Sequence, residues 1–150
     1  MQKTTTLSAL LGLSLLWGGT LEAGNMKGKH LQNSTRKAKQ FVLKKSQIAE
    51  GKALFGKNCI SCHGRAAVGG TIKIAGVKPP SLNGTGGSHI AHHAPQKLLR
   101  TIAQGRKGMP SFGSKLKSQE RKAIFSYLHS LWPQKMQKHY DKKFNIKVVK

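Results

Sequence analysis

Acidic side chains are nearly missing from this 150-residue chain: four Asp and Glu stand against 27 Lys and Arg, a formal net charge of +23. Such a surface favours acidic proteins, anionic lipid or other polyanions as partners, and speeds encounter with them in a salt-dependent way. The excess is spread along the chain. Residues 24–45 hold seven basic groups and no acids, 46–133 hold thirteen against two, and 134–150 hold six against one. Cysteine is almost as scarce, with only Cys59 and Cys62. A structural zinc centre would therefore need distant histidines to complete its four ligands. No strand-rich βαβ pattern surrounds residue 59, which disfavours a thioredoxin-like dithiol. No internal repeat is visible, and the length allows one domain with a modest core, too small for a large enzyme fold.

The N-terminus carries an uncharged apolar run, Leu7 to Trp17, followed by "GGTLEAG". This pattern is that of an export signal, with cleavage expected after Ala23. Because Thr4 to Leu21 holds no charge, an uncleaved membrane anchor stays open as the alternative. Residues 24–45 are rich in Lys, Asn, Ser and Gly, and are expected to form a flexible basic arm without a core.

From Ser46 onward the pattern becomes helical. Ser46 is a favourable N-cap, and Ile48, Ala49, Lys52, Phe55 and Cys59 recur at helical spacing, Lys52 being the polar exception, so a helix is expected over about 47–58. Residues 64–87 are rich in Gly, with Pro79 and Pro80, and predict loop. A second helix is expected from Pro95 to a stop at Gly105, and a third from Ser118 to Pro133 with Glu120 in its first turn. In the third, Ala123, Ile124, Tyr127, Leu128 and Leu131 make an apolar face. The basic tail repeats Met136, Tyr140 and Phe144 every four residues, which allows a short added helix.

The two cysteines lie in "KNCISCHG", with His63 directly after the second. A redox dithiol, a metal site and covalent haem attachment compete for this spacing. Haem attachment is favoured because it uses all three residues. Thiols at i and i+3 lie on one face of a helical turn, where each adds to a haem vinyl group, and His63 is then delivered beneath the iron as proximal ligand. The export signal agrees, since this attachment takes place outside the cytoplasm. A bonded haem would also provide the apolar body around which the two loop segments wrap.

Segments "GKALFGKNCISCHG", "PPSLNG", "GMPSF" and "SQERKAIFSYLHSLWP", in that order, resemble a class I c-type cytochrome of the small bacterial monohaem kind. The resemblance covers residues 46–133. It implies an all-α cytochrome c fold, three to five short helices around one covalent haem c with long loops. It further implies Cys59 and Cys62 as thioether anchors, His63 as proximal and Met109 as distal iron ligand. Pro80 matches the residue whose carbonyl receives the histidine ring N–H, and Leu82 would line the haem. Gly51 and Phe55 on the first helix and Tyr127 on the last match the helix-crossing positions. The sixteen residues between His63 and Pro80 are long for this family, and the basic arm and tail have no counterpart in it. The alternative distal ligand lies in "SHIAHHAP", with His89, His92 and His93; His30, His129 and His139 read as structural or solvated groups.

The function so implied is that of a periplasmic one-electron carrier, not an enzyme, between redox proteins with acidic docking surfaces. Lys57, Lys73, Lys78, Lys107 and Lys115 are expected to ring the haem edge. An anionic membrane surface is a further expected contact, and nucleic acid is not. Two alternatives remain: a haem subunit of a larger oxidoreductase, or a haem sensor or small-ligand enzyme with a displaceable Met109.

Overall fold

The computed structural model describes residues 39–71, 73–85 and 88–150. The expected export signal and residues 24–38 of the arm lie outside the described residues. Among the described residues no helix is long and apolar enough to cross a membrane.

The described part begins with strand β1, Phe41–Lys44, and one turn of 3-10 helix that takes in Ser46. Helix α1, Ile48–Asn58, follows, and a single turn, α2, Ile60–His63, completes the cysteine motif. Helix α3 spans Pro95–Gln104, α4 Ser118–Ser130 and α5 Gln134–Phe144, and strand β2 covers Ile146–Val149. The three expected helices are all present. Pro95 opens α3, where its missing N–H costs nothing, and Gly105 closes it. Ser46 is not the cap of α1: that position falls to Gln47, which makes no side-chain capping bond, because the 3-10 turn already supplies the helix entry. At α4 the side chain of Glu120 accepts the backbone N–H of Lys117 at 2.6 Å, satisfying a first-turn donor.

Helices α1 and α4 cross at Gly51, where a Cβ would run into the Ala123 carbonyl oxygen. Only a glycine permits this approach. One turn on, Phe55 packs against Tyr127, ring centroids 5.5 Å apart and tilted. Such a pair contributes about 0.5–1.5 kcal/mol beyond the area it buries.

The single apolar face expected on α4 understates its burial. Every residue from Ala123 to His129 is buried, since α4 is covered on a second side by the C-terminal segment and by β1. Tyr140, fully buried, stands edge-on to Trp132 at 4.8 Å and tilted against Phe125 at 6.2 Å. His129 Nε2 meets Asp141 Oδ1 at 2.8 Å. Residues 41–44 correct the expectation of a coreless arm: Phe41 and Leu43 belong to the core, 8% and 2% exposed. Their strand pairs in parallel with β2, Phe41 opposite Ile146 through Lys44 opposite Val149. The alternation Phe41, Leu43 turns apolar side chains inward, a signal hidden by the lysines on either side.

Candidate functional site

The candidate haem site is built from four loops and turns carried by the helices. Cys59 ends α1, and its carbonyl accepts N–H bonds from Cys62 (3.2 Å) and His63 (2.9 Å), which winds the cysteine motif into one turn. The glycine-rich stretch after it is more ordered than its composition suggests. Gly69 N–H donates to His63 O (2.8 Å), Gly70 N–H to Pro79 O (3.0 Å) and Leu82 N–H to Ala67 O (2.8 Å), so the loop folds back on the motif.

Cys59, Cys62, His63, Pro80, Leu82 and Met109, all six residues singled out from sequence, line one cavity of about 410 Å³. Its walls are mainly apolar, with Ile90, Leu98, Ile102, Phe112, Phe125 and Leu128 among them. That volume lies in the range of pockets that enclose an organic cofactor.

The orientation of His63 is set by one hydrogen bond. His63 is 8% exposed, and its Nδ1 lies 3.1 Å from the Pro80 carbonyl oxygen. A carbonyl only accepts, so Nδ1 carries the proton and Nε2 keeps its lone pair. Burial holds the imidazole below its usual pKa, with the Pro80 carbonyl pulling the other way. The ring is thus neutral and available as a metal ligand at neutral pH. Cys59 and Cys62 are not joined in a disulfide. Burial, with Cys62 beside it, pushes the Cys59 thiol up to about 11, the opposite of the depressed value a reactive dithiol needs. Among the described residues no three His, Cys, Asp or Glu side chains gather into a metal-binding cluster.

Met109 lines the same cavity from the end of a tight two-residue turn. Arg106 N–H donates to Met109 O and Met109 N–H to Arg106 O, both at 3.0 Å. Lys107 (φ 46°) and Gly108 (φ 86°) occupy the left-handed region at its tip. Phe112, whose N–H donates to Ile102 O at 3.1 Å, ties the residues after the turn to α3.

The histidine cluster also reaches the cavity. His89 and His93 line it, with the His89 ring 4.7 Å from His92 and 5.4 Å from His93. Of the five lysines expected at the haem edge, all are exposed but only Lys107 lines the cavity. Sequence reasoning does not single out Lys97 or Arg106, which do, because surface cations carry no periodic signal. It also passes over the wall formed by Ile74 and Val77. There the signal exists: Ala75-Gly76 between two β-branched residues is a hairpin-turn pattern.

The chemistry of the donors fits a haem: two thiols on one turn, a neutral imidazole with its second nitrogen free, and a thioether, around an apolar cavity. Fold and site together define a class I c-type cytochrome. A family model described as "Cytochrome C oxidase, cbb3-type, subunit III" matches residues 46–128, and the chain belongs to that family. Its prosthetic group is haem c, covalently bound and holding iron. The chain is 31% identical over 87 residues to the cbb3-type cytochrome c oxidase subunit CcoP of Azospirillum sp. (strain B510), an overlap of 57% of this chain and 29% of that protein. It thus spans under a third of that relative's length. Cytochrome cL from the methylotroph Methylophaga aminisulfidivorans shares the fold at 22% identity, with a TM-score of 0.51 over 71% of this chain and 69% of that one. A c-type cytochrome domain of this kind is an electron carrier.

Proposed function

We propose that this chain is an exported, periplasmic one-electron carrier in which Cys59 and Cys62 anchor haem c and His63 and Met109 are the axial ligands of its iron. The observation that supports this most is the convergence of these four side chains on one cavity although Met109 is 46 residues from His63 in sequence. When bound, the group supplies a reversible ferric–ferrous couple.

The protein's part is to hold and tune that couple. Pro80 fixes the His63 ring through its Nδ1 proton and raises the basicity of the other nitrogen. Met109 would offer the iron a soft sulfur donor, which would favour the reduced state relative to a second imidazole. With His63 and Met109 both holding the iron, substrate would be kept from the metal. Leu82, Phe112, Leu98 and Ile102 exclude water from the cavity, and Lys97, Arg106 and Lys107 present positive charge at its lining to draw an acidic partner into brief contact. The same charge suits an anionic membrane surface.

The family and the CcoP relative favour a second reading, a haem subunit working within an oxidase complex. Two measurements separate the readings. A carrier exchanges electrons with an acidic acceptor at a rate that falls steeply with ionic strength. A subunit copurifies stoichiometrically with its partner at high salt. A reduced spectrum unchanged by carbon monoxide supports the saturated His63–Met109 iron; a shifted one supports ligand chemistry at the metal instead.

A further inference from the structure

The long insertion between His63 and Pro80 ends in a second turn that matches the one bearing Met109. Ile74 and Val77 exchange both backbone hydrogen bonds, 2.8 and 2.9 Å, and the two residues between them, Ala75 (φ 48°) and Gly76 (φ 74°), repeat the left-handed pair of Lys107 and Gly108. The two turns touch at their backbones. A Cβ placed on Gly108 would lie 2.8 Å from the Ile74 carbonyl oxygen and 3.1 Å from the Ala75 Cβ. Ile74 and Val77 line the same cavity as Arg106, Lys107, Gly108 and Met109. A glycine at the tip of one turn therefore seats it against the other with no side chain between them.

From this juxtaposition we propose that the Ile74–Val77 turn is a clasp on the Met109 turn, and that Ile74 and Ala75 are positioning residues that keep Met109 seated and small ligands away from the distal side of the cavity. The role rests on the reading of Met109 as iron ligand. The turn that carries Met109 has just two hydrogen bonds across it and an exposed tip. A short turn of this kind opens readily unless something packs on it. The insertion supplies that packing, and its apolar pair forms part of the cavity lining that Met109 shares.

The test uses the haem-loaded protein and three variants, Ala75→Gly, Ile74→Ala and Gly108→Ala. Ala75→Gly removes the Cβ against Gly108 while suiting the left-handed backbone, so the variant folds even if Gly108→Ala does not. Two quantities are measured: the rate at which imidazole replaces the native sixth ligand of the ferric protein, and amide hydrogen exchange at Arg106 and Met109. The clasp predicts that Ile74→Ala and Ala75→Gly raise both by about threefold to tenfold, and Gly108→Ala by more, while exchange in α4 stays as in the wild type. A purely structural role for the insertion would speed exchange throughout and leave the ratio of the two regions constant. Exchange at Arg106 and Met109 indifferent to Ile74 and Ala75 overturns the clasp. Loss of the ligand reading is seen separately: the wild-type ferric protein then lacks a sulfur-to-iron absorption band, whatever the exchange rates do.

Discussion

The indole N–H of Trp132 donates to the carbonyl of Leu82, fifty residues earlier in the chain, at 2.9 Å. Trp132 is 3% exposed, and Leu82 lines the haem cavity two residues from Pro80. Tyr140 makes a corresponding bond to a second loop, its hydroxyl donating to the His93 carbonyl at 2.7 Å. The end of α4 and the appended α5 thus each hold one loop that lines the cavity.

Replacing these donors removes a buried bond without replacing its partner. Tyr140→Phe is expected to cost about 1–2 kcal/mol, since the His93 carbonyl is left unpaired. Trp132→Phe is expected to cost about 2–3 kcal/mol, because lost volume adds to the lost bond. Denaturant unfolding of the haem-loaded protein measures both. Removal of 134–150 uncovers Phe125 and His129 together and is expected to abolish stable folding.

At the helix crossing, Gly51→Ala forces a methyl group into the Ala123 carbonyl, where both partners are helix backbone and neither yields. The expected loss is about 3 kcal/mol or more, at the upper end for overpacking. Gly56→Ala on the same helix, with open space around it, is the control and is expected to stabilise by about 0.5–1 kcal/mol.

His93 is expected to make the protein's stability sensitive to acid. Partial burial, then the positive charges of Lys97, His89, Arg106 and His92, hold His93 below the ordinary histidine value of 6.5. The folded protein therefore binds this proton less readily than the unfolded chain. Stability from this source is complete above pH 6.5 and is lost as pH falls below it. The melting temperature of the wild type is expected to drop between pH 7 and pH 5 by more than that of His93→Gln; equal drops would assign the effect elsewhere.

Met109→Ala is expected to open the distal position. The variant should bind carbon monoxide when reduced, lose the sulfur-to-iron band when oxidised, and show a lower reduction potential as the soft donor is replaced by water. Difference spectra and redox titration check all three.

Much of this was legible in sequence because the chemistry is local there. The cysteine motif occupies five consecutive residues, and Pro95, Gly105 and Glu120 mark helix ends by backbone rules that need no tertiary contact. Phe41 and Leu43 were not legible, since a four-residue strand between lysines becomes core only when residues 146–149 come to lie beside it. His129, which reads from sequence as structural or solvated, is settled as structural only once Asp141 and Tyr140 are folded over it. The contact between Gly108 and Ile74 joins positions 34 apart, and nothing in either tetrapeptide announces the other.

Haem retention by the polypeptide tests the central claim most directly. After acid–acetone extraction and proteolysis, the peptide containing Cys59 and Cys62 is expected to carry the porphyrin on both sulfurs and to have no titratable thiol. A colourless polypeptide with two free thiols, made in a host competent to attach haem, would contradict it.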